Sequence, residues 1–156
     1  MSSMGRRRVW IPENRSLISG HFIREKSRIE ASYPCFHCVL HGNRLTCVGA
    51  IQPGQDCETY EIKIDYRMDD PPQVRITRPD ITPSTEYHMY SDGQLCLYDH
   101  RSSPWKWRYN IHETIIPWTA EWLVFYELWR ITGEWLGPAA PHGPGLKKPE
   151  EPSLAA

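Results

Sequence analysis

A chain of 156 residues is long enough to bury a sizeable core without metal or disulfide staples, and no compositional break before its tail argues for more than one domain. A formal net charge of −1 gives no global field for nucleic acid or an anionic membrane, so neither is expected as a partner. No apolar run follows the Arg6-Arg7-Arg8 cluster, which excludes a signal peptide or membrane span there and predicts a cytoplasmic protein whose five cysteines are reduced thiols.

Residues 1–13 are polar and basic without periodicity and predict a loose arm. A helix follows over 17–31, with Ile18, Phe22 and Ile29 on one side, Arg24 and Arg28 together on another, and Pro34 as its stop. Glu25 falls off the pattern. Residues 1–28 hold seven Arg or Lys against Glu13 and Glu25, a positive end that the whole-chain charge conceals. A solvated face is its default reading; a docking face for an acidic partner is the functional one.

Residues 35–77 read as an antiparallel meander of four strands. Phe36, Cys38 and Leu40 alternate with Cys35, His37 and Val39, and Gly42-Asn43 supplies a hairpin turn into a second strand from Arg44. Tyr60, Ile62, Ile64 and Tyr66 alternate with Thr59, Glu61, Lys63 and Asp65, which means one buried and one wet face. Pro71-Pro72 is expected to break that strand, with Val74 and Ile76 opening a short fourth. Loop follows from Thr77 to Tyr87.

The stretch Glu86–Tyr98 is where chemistry is expected. Asp92-Gly93 is a turn signal, and Cys96 follows it between Leu95 and Leu97, with His88, Asp92, Asp99 and His100 close in sequence. Free cysteine is among the most buried residue types, and on these local features alone packing is the favoured role for Cys96.

The second half is helical. Asn110 and Glu113 fit a capping pair that opens a short helix through Ile111, Ile115 and Ile116, ended or kinked by Pro117. Thr119 is the expected cap of a second helix carrying Trp118, Trp122, Phe125, Tyr126 and Trp129, terminated by Gly133. An aromatic stripe at that spacing reads as core closing on the sheet. From Gly137 onward Pro, Gly, Ala, Lys and Glu dominate, so the domain is expected over 1–136 with a disordered tail at 137–156.

A helix, a four-stranded meander, an irregular cysteine-bearing segment and closing helices make an α+β architecture. The run from Tyr60 to Trp105 resembles the ubiquitin-conjugating enzymes, in which such a strand is followed by Pro-Pro-x-Val, a turn, and Gly-x-Ile/Leu-Cys-Leu carrying the catalytic cysteine. Here these are Pro71-Pro72-Gln73-Val74 and Tyr90-Ser91-Asp92-Gly93-Gln94-Leu95-Cys96-Leu97, with Trp105 after them. The string from His88 to Cys96 and the run Pro117–Leu123 are more similar still to the prokaryotic members found in type II CBASS antiphage operons. The resemblance covers about residues 17–136 and implies a UBC-like fold, with Cys96 accepting an acyl group as a thioester and yielding it to an amine. It also implies a partner, the cGAS/DncV-like nucleotidyltransferase of the operon, and a separate activating enzyme or modifier that docks through the first helix, hence Arg24 and Arg28. No cofactor and no metal are expected.

The family's His-Pro-Asn falls on Glu86, Tyr87 and His88, so His88 stands where an asparagine is thought to stabilise the oxyanion or order the loop. Asp99, His100 and His112 are candidate amine-orienting groups by proximity in sequence only. Two other readings stay open. One is a catalytically inactive scaffold for the synthase, against which the presence of Cys96 counts. The other is a zinc module using Cys35, Cys38, Cys47 and Cys57 with His37 or His41, which needs a knuckle where a strand is expected.

Overall fold

Alternation of apolar and polar side chains puts one face of each strand in the core, and the computed structural model, which describes residues 2–138 and side chains from Leu17 onward, has the predicted α+β architecture. Helix α1 (Ser2–Ser32) precedes β1 (His37–His41), β2 (Arg44–Ile51), β3 (Tyr60–Arg67) and β4 (Asp70–Arg78); helix α2 (Ile115–Thr132) closes the chain. The sheet runs in the order β1-β2-β3-β4, antiparallel throughout. Its inner face carries Cys38, Leu45, Cys47, Tyr60, Ile62, Ile64, Tyr66 and Val74, all buried.

The arm expected to be loose over 1–13 is helical from Ser2. A helix extends cheaply once nucleated, and the arm's Met and Arg residues are good helix formers. Phe22 and Ile29 of α1 are fully buried, each worth about 1.5–3 kcal/mol of apolar burial. Glu25 shares that buried face because its Oε2 accepts from the Ile111 backbone N–H at 3.3 Å.

Gly42-Asn43 makes the expected two-residue turn, with His41 opposite Arg44 and Gly42 at φ +63°. On β2, Gly49 is required for packing: a Cβ there would lie 2.4 Å from the Phe36 ring. Pro71 and Pro72 do not break the chain between strands but lie inside β4. β4 is an edge strand and its register with β3 slips between Asp65 and Arg67, so the missing proline N–H groups cost little ladder bonding.

The two helices expected on either side of Pro117 are one. Pro117 is the third residue of α2, in the first turn, where backbone N–H groups have no intrahelical partner to lose. Thr119 is therefore internal, its hydroxyl donating to the Ile115 carbonyl at 2.7 Å. Gly133 ends the helix at φ +77°, its N–H bonding the Trp129 carbonyl at 2.7 Å. The aromatic stripe reaches the sheet through Tyr60, 6.2 Å from Tyr126, but packs chiefly on Tyr87, 4.6 Å from Trp129 and 5.1 Å from Tyr126. α2 thus clamps the cysteine-bearing segment.

Candidate active site

The segment holding Cys96 is stitched to the open edge of β4. Leu95 N–H bonds the Val74 carbonyl at 2.9 Å, and Gln94 bridges Arg75. The turn ahead of it closes with Gly93 N–H on the Tyr90 carbonyl at 2.9 Å, Gly93 standing at φ +88°. Asp92 organises this turn rather than the thiol: Oδ1 accepts from Gln94 N–H at 3.0 Å, and Oδ2 pairs with Arg75 at 2.9 Å. Buried Leu95 then anchors the ledge, which leaves Cys96 with 6% of its surface exposed.

Cys96 Sγ lies 3.3 Å from the Tyr90 hydroxyl. Burial pushes its thiol above the ordinary value, the Tyr90 hydrogen bond draws it back, and the charge of Asp99 raises it further. Burial and the neighbouring sulfur also push the Tyr90 phenol up, so that hydroxyl keeps its proton and has it to donate. The nucleophile is thus stored as a thiol, with a donor positioned for the thiolate when it forms.

His88 is bound to Cys96 through the backbone. Its carbonyl accepts from Cys96 N–H at 3.0 Å and from the Trp122 indole at 3.2 Å. It ends the short 3-10 turn Thr85–Tyr87 in the left-handed region, φ 54° and ψ 52°, and is the one non-glycine residue at positive φ among those described. Histidine is among the residues that enter this region more readily. Its ring lies 5.0 Å from that of Trp135, tilted by 41°.

The remaining candidates separate. The His100 ring stands 4.5 Å from Tyr98 and 6.0 Å from Tyr90, beside the sulfur's hydroxyl partner; burial lowers its pKa, with Asp99 opposing. Asp99 accepts from Arg101 N–H at 2.9 Å and from the Ser102 hydroxyl, closing its own turn. His112 faces Glu113 at 3.5 Å and, like His88 and His100, lines neither groove at Cys96. Arg24 and Arg28 are exposed on α1, where Arg28 donates to Asn110 Oδ1 at 2.7 Å, and neither lines those grooves. Cys38 and Cys47 face each other within the sheet core, Cys35 donates to the Ala50 carbonyl, and no cluster of three or more metal-ligating side chains occurs among the described residues.

Two grooves meet at Cys96 and share Leu97, Trp118 and Pro138 as lining. The wider, about 630 Å³, is lined by Tyr98, Asp99, Ser102, Lys106 and Tyr109 among others. The narrower, about 200 Å³, is walled by Trp118, Trp122, Phe125 and Trp135, with Glu121 its one charged residue among those described. Tyr90, Arg75 and Trp135 are the contributors that sequence reasoning missed. Tyr90 had a signal, since it stands in the same short string as Cys96.

No helix among the described residues is long and apolar enough to cross a membrane. A search of curated proteins finds no match to the chain. The model of one family, described as type II CBASS E2 protein, matches residues 25–143, more than half of the sequence and including His88, Tyr90 and Cys96, and the chain belongs to that family.

Proposed function

We propose that this protein is a cysteine-dependent acyl transferase of the conjugating-enzyme kind, carrying an acyl group as a thioester on Cys96 and passing it to an amine. The observation that carries this reading is the placement of Cys96 where two grooves meet, its thiol donating to the Tyr90 hydroxyl at 3.3 Å. In the first step the Cys96 thiolate attacks the carbonyl carbon of a partner's thioester; the new C–S bond forms as the old one breaks, and the partner's thiol leaves with the proton. In the second a neutral amine attacks the same carbon, a C–N bond replaces the C–S bond, and the sulfur is released and reprotonated. The Tyr90 hydroxyl stabilises the sulfur anion in both steps. His88, in the position of the family's oxyanion asparagine, stabilises the tetrahedral oxyanion or orders the loop beside it.

The partner in this reading is the cGAS/DncV-like nucleotidyltransferase of a CBASS operon, whose C-terminus the enzyme joins or regulates, with activation supplied by a separate protein that docks on the α1 face bearing Arg24 and Arg28. The test is incubation with the operon's other proteins, followed by non-reducing electrophoresis. A thiol-labile adduct that Cys96→Ala abolishes is expected. An adduct that survives Cys96→Ala would overturn the assignment.

A further inference from the structure

Helical spacing brings Trp118, Glu121, Trp122 and Phe125 to one face of α2, at i, i+3, i+4 and i+7, so a carboxylate stands inside an otherwise aromatic stripe. The rest of the narrower groove's wall is built past the end of the helix. Trp135 returns to the stripe, its ring 5.8 Å from Trp122 and 5.9 Å from Phe125, and its indole N–H donates to the Pro138 carbonyl at 3.0 Å. Gly137 lies so close over Phe125 that a Cβ would stand 2.5 Å from the ring, so the return path is built into the sequence. The resulting groove of about 200 Å³ holds Cys96 and Glu121 in the same lining. Glu121 is exposed and makes no hydrogen bond or ion pair among the described residues, whereas Cys96 keeps 6% of its surface exposed. A carboxylate in solvent and a buried sulfur therefore share one aromatic groove.

We infer that the narrower groove admits the acceptor as a lysine side chain arriving in its ammonium form, and that Glu121 is the specificity-determining residue that selects it. This rests on the acyl-carrier reading of Cys96. The aromatic walls cover the apolar stem of a lysine and attract its cationic head, and Glu121 supplies the one negative charge of the described lining. The wider groove lacks that match: it carries Lys106, and its carboxylate, Asp99, accepts from Arg101 N–H and the Ser102 hydroxyl. At about 630 Å³ it is left for the acyl chain, while the narrower takes a single side chain. The groove also handles the proton. Lysine is cationic at neutral pH and only its neutral form attacks; an exposed carboxylate favours the cation at capture, and movement inward between apolar rings favours the neutral amine. The ammonium gives up one proton to water, and the amine nitrogen attacks the thioester carbon. A C–N bond forms as the C–S bond breaks, and a second nitrogen proton passes to the departing Cys96 thiolate.

The experiment loads full-length protein on Cys96 with its partner's thioester, removes the activating protein, and measures discharge against the concentration of two acceptors. One is Nα-acetyl-lysine amide, a cation; the other is hydroxylamine, which is uncharged at neutral pH. Glu121→Gln removes the charge and keeps the size of an exposed side chain, so the fold is expected to persist, which the unfolding midpoint checks. Relative to hydroxylamine, the lysine amide concentration that gives half-maximal discharge is expected to rise about two- to fivefold, the scale of one exposed ion pair. Glu121→Lys is expected to raise it further, and added salt to narrow the difference between Glu121→Gln and the unaltered protein. Equal half-maximal concentrations in all three proteins, or an equal shift for both acceptors, overturns the inference while leaving Cys96 as carrier. Slowed loading with an unaltered preference between the acceptors would place the acyl chain in this groove and overturn it too. A loaded protein that discharges to hydroxylamine but never to the lysine amide would overturn the choice of acceptor. Failure of the unaltered protein to load at all would instead overturn the acyl-carrier reading itself.

Discussion

Tyr90→Phe isolates one hydroxyl. The ring that stands 6.0 Å from His100 is kept, and what goes is the oxygen 3.3 Å from Cys96 Sγ. Burial and Asp99 both push the thiol up, and the Tyr90 hydrogen bond is the cause that opposes them. A hydrogen bond to a charged group contributes about 1.5–3 kcal/mol, and even the lower figure is about tenfold less thiolate at any pH below the thiol's own pKa. The thiolate is the reactive form, so loading rises with pH and levels off above that pKa. In Tyr90→Phe the levelling is expected at higher pH, with loading near neutral pH slowed about tenfold and the plateau approached in strongly alkaline buffer. Initial loading rates across a pH series, read on non-reducing gels, measure this. Superimposable profiles would refute the role, and an equal fall at every pH, plateau included, would make Tyr90 a packing residue instead.

His88→Ala is expected to form the thioester normally while transfer to an amine slows by about ten- to a thousandfold, the scale of losing one oxyanion donor; normal discharge would remove His88 from the site. Arg24→Glu with Arg28→Glu is expected to weaken loading while the fold persists, and Asn110→Ala, which breaks the same 2.7 Å bond to Arg28 without reversing charge, separates docking from structure by leaving loading intact. Glu25 tests the buried acid of α1: burial raises its carboxyl pKa, ahead of the opposing bond from Ile111 N–H, so the folded protein holds this proton more tightly than the unfolded chain does. Its contribution is then fully present below the unfolded value of about 4.3 and is lost as pH climbs through the folded value. Glu25→Gln keeps an acceptor for Ile111 and is expected to raise the unfolding midpoint at neutral pH and flatten that decline, with a drop at neutral pH as the contrary result.

What was legible in the sequence is what local rules decide. The β3 alternation and the Gly42-Asn43 turn follow from side-chain period and backbone freedom, and both stand in the structure. Proline was misread twice for one reason: its cost depends on whether its N–H was needed, and the edge position of β4 and the first turn of α2 are tertiary and register facts invisible in Pro71, Pro72 and Pro117 themselves. Cys96 was legible only as part of an ordered string. Tyr90 stood in that string, but nothing in a spacing of six tells which of its polar side chains reaches the sulfur. Arg75 lies on a different strand from the turn it braces, and Trp135 lies past the glycine that ends α2, where composition reads as the approach to a tail. Both become visible only when the fold brings distant segments together. The expected tail boundary at 137 falls within residues that pack, Gly137 and Pro138; residues from 139 lie outside those described.

The most direct measurement is peptide mapping by mass spectrometry of the adduct formed with the operon's activated partner, trapped without reducing agent. The account predicts a single acyl modification on the peptide containing Cys96, none on Cys35, Cys38, Cys47 or Cys57, and its disappearance on treatment with a thiol or in Cys96→Ala. A thiol-labile acyl group mapped to any of the other four cysteines, or retained at full occupancy by Cys96→Ala, would contradict it.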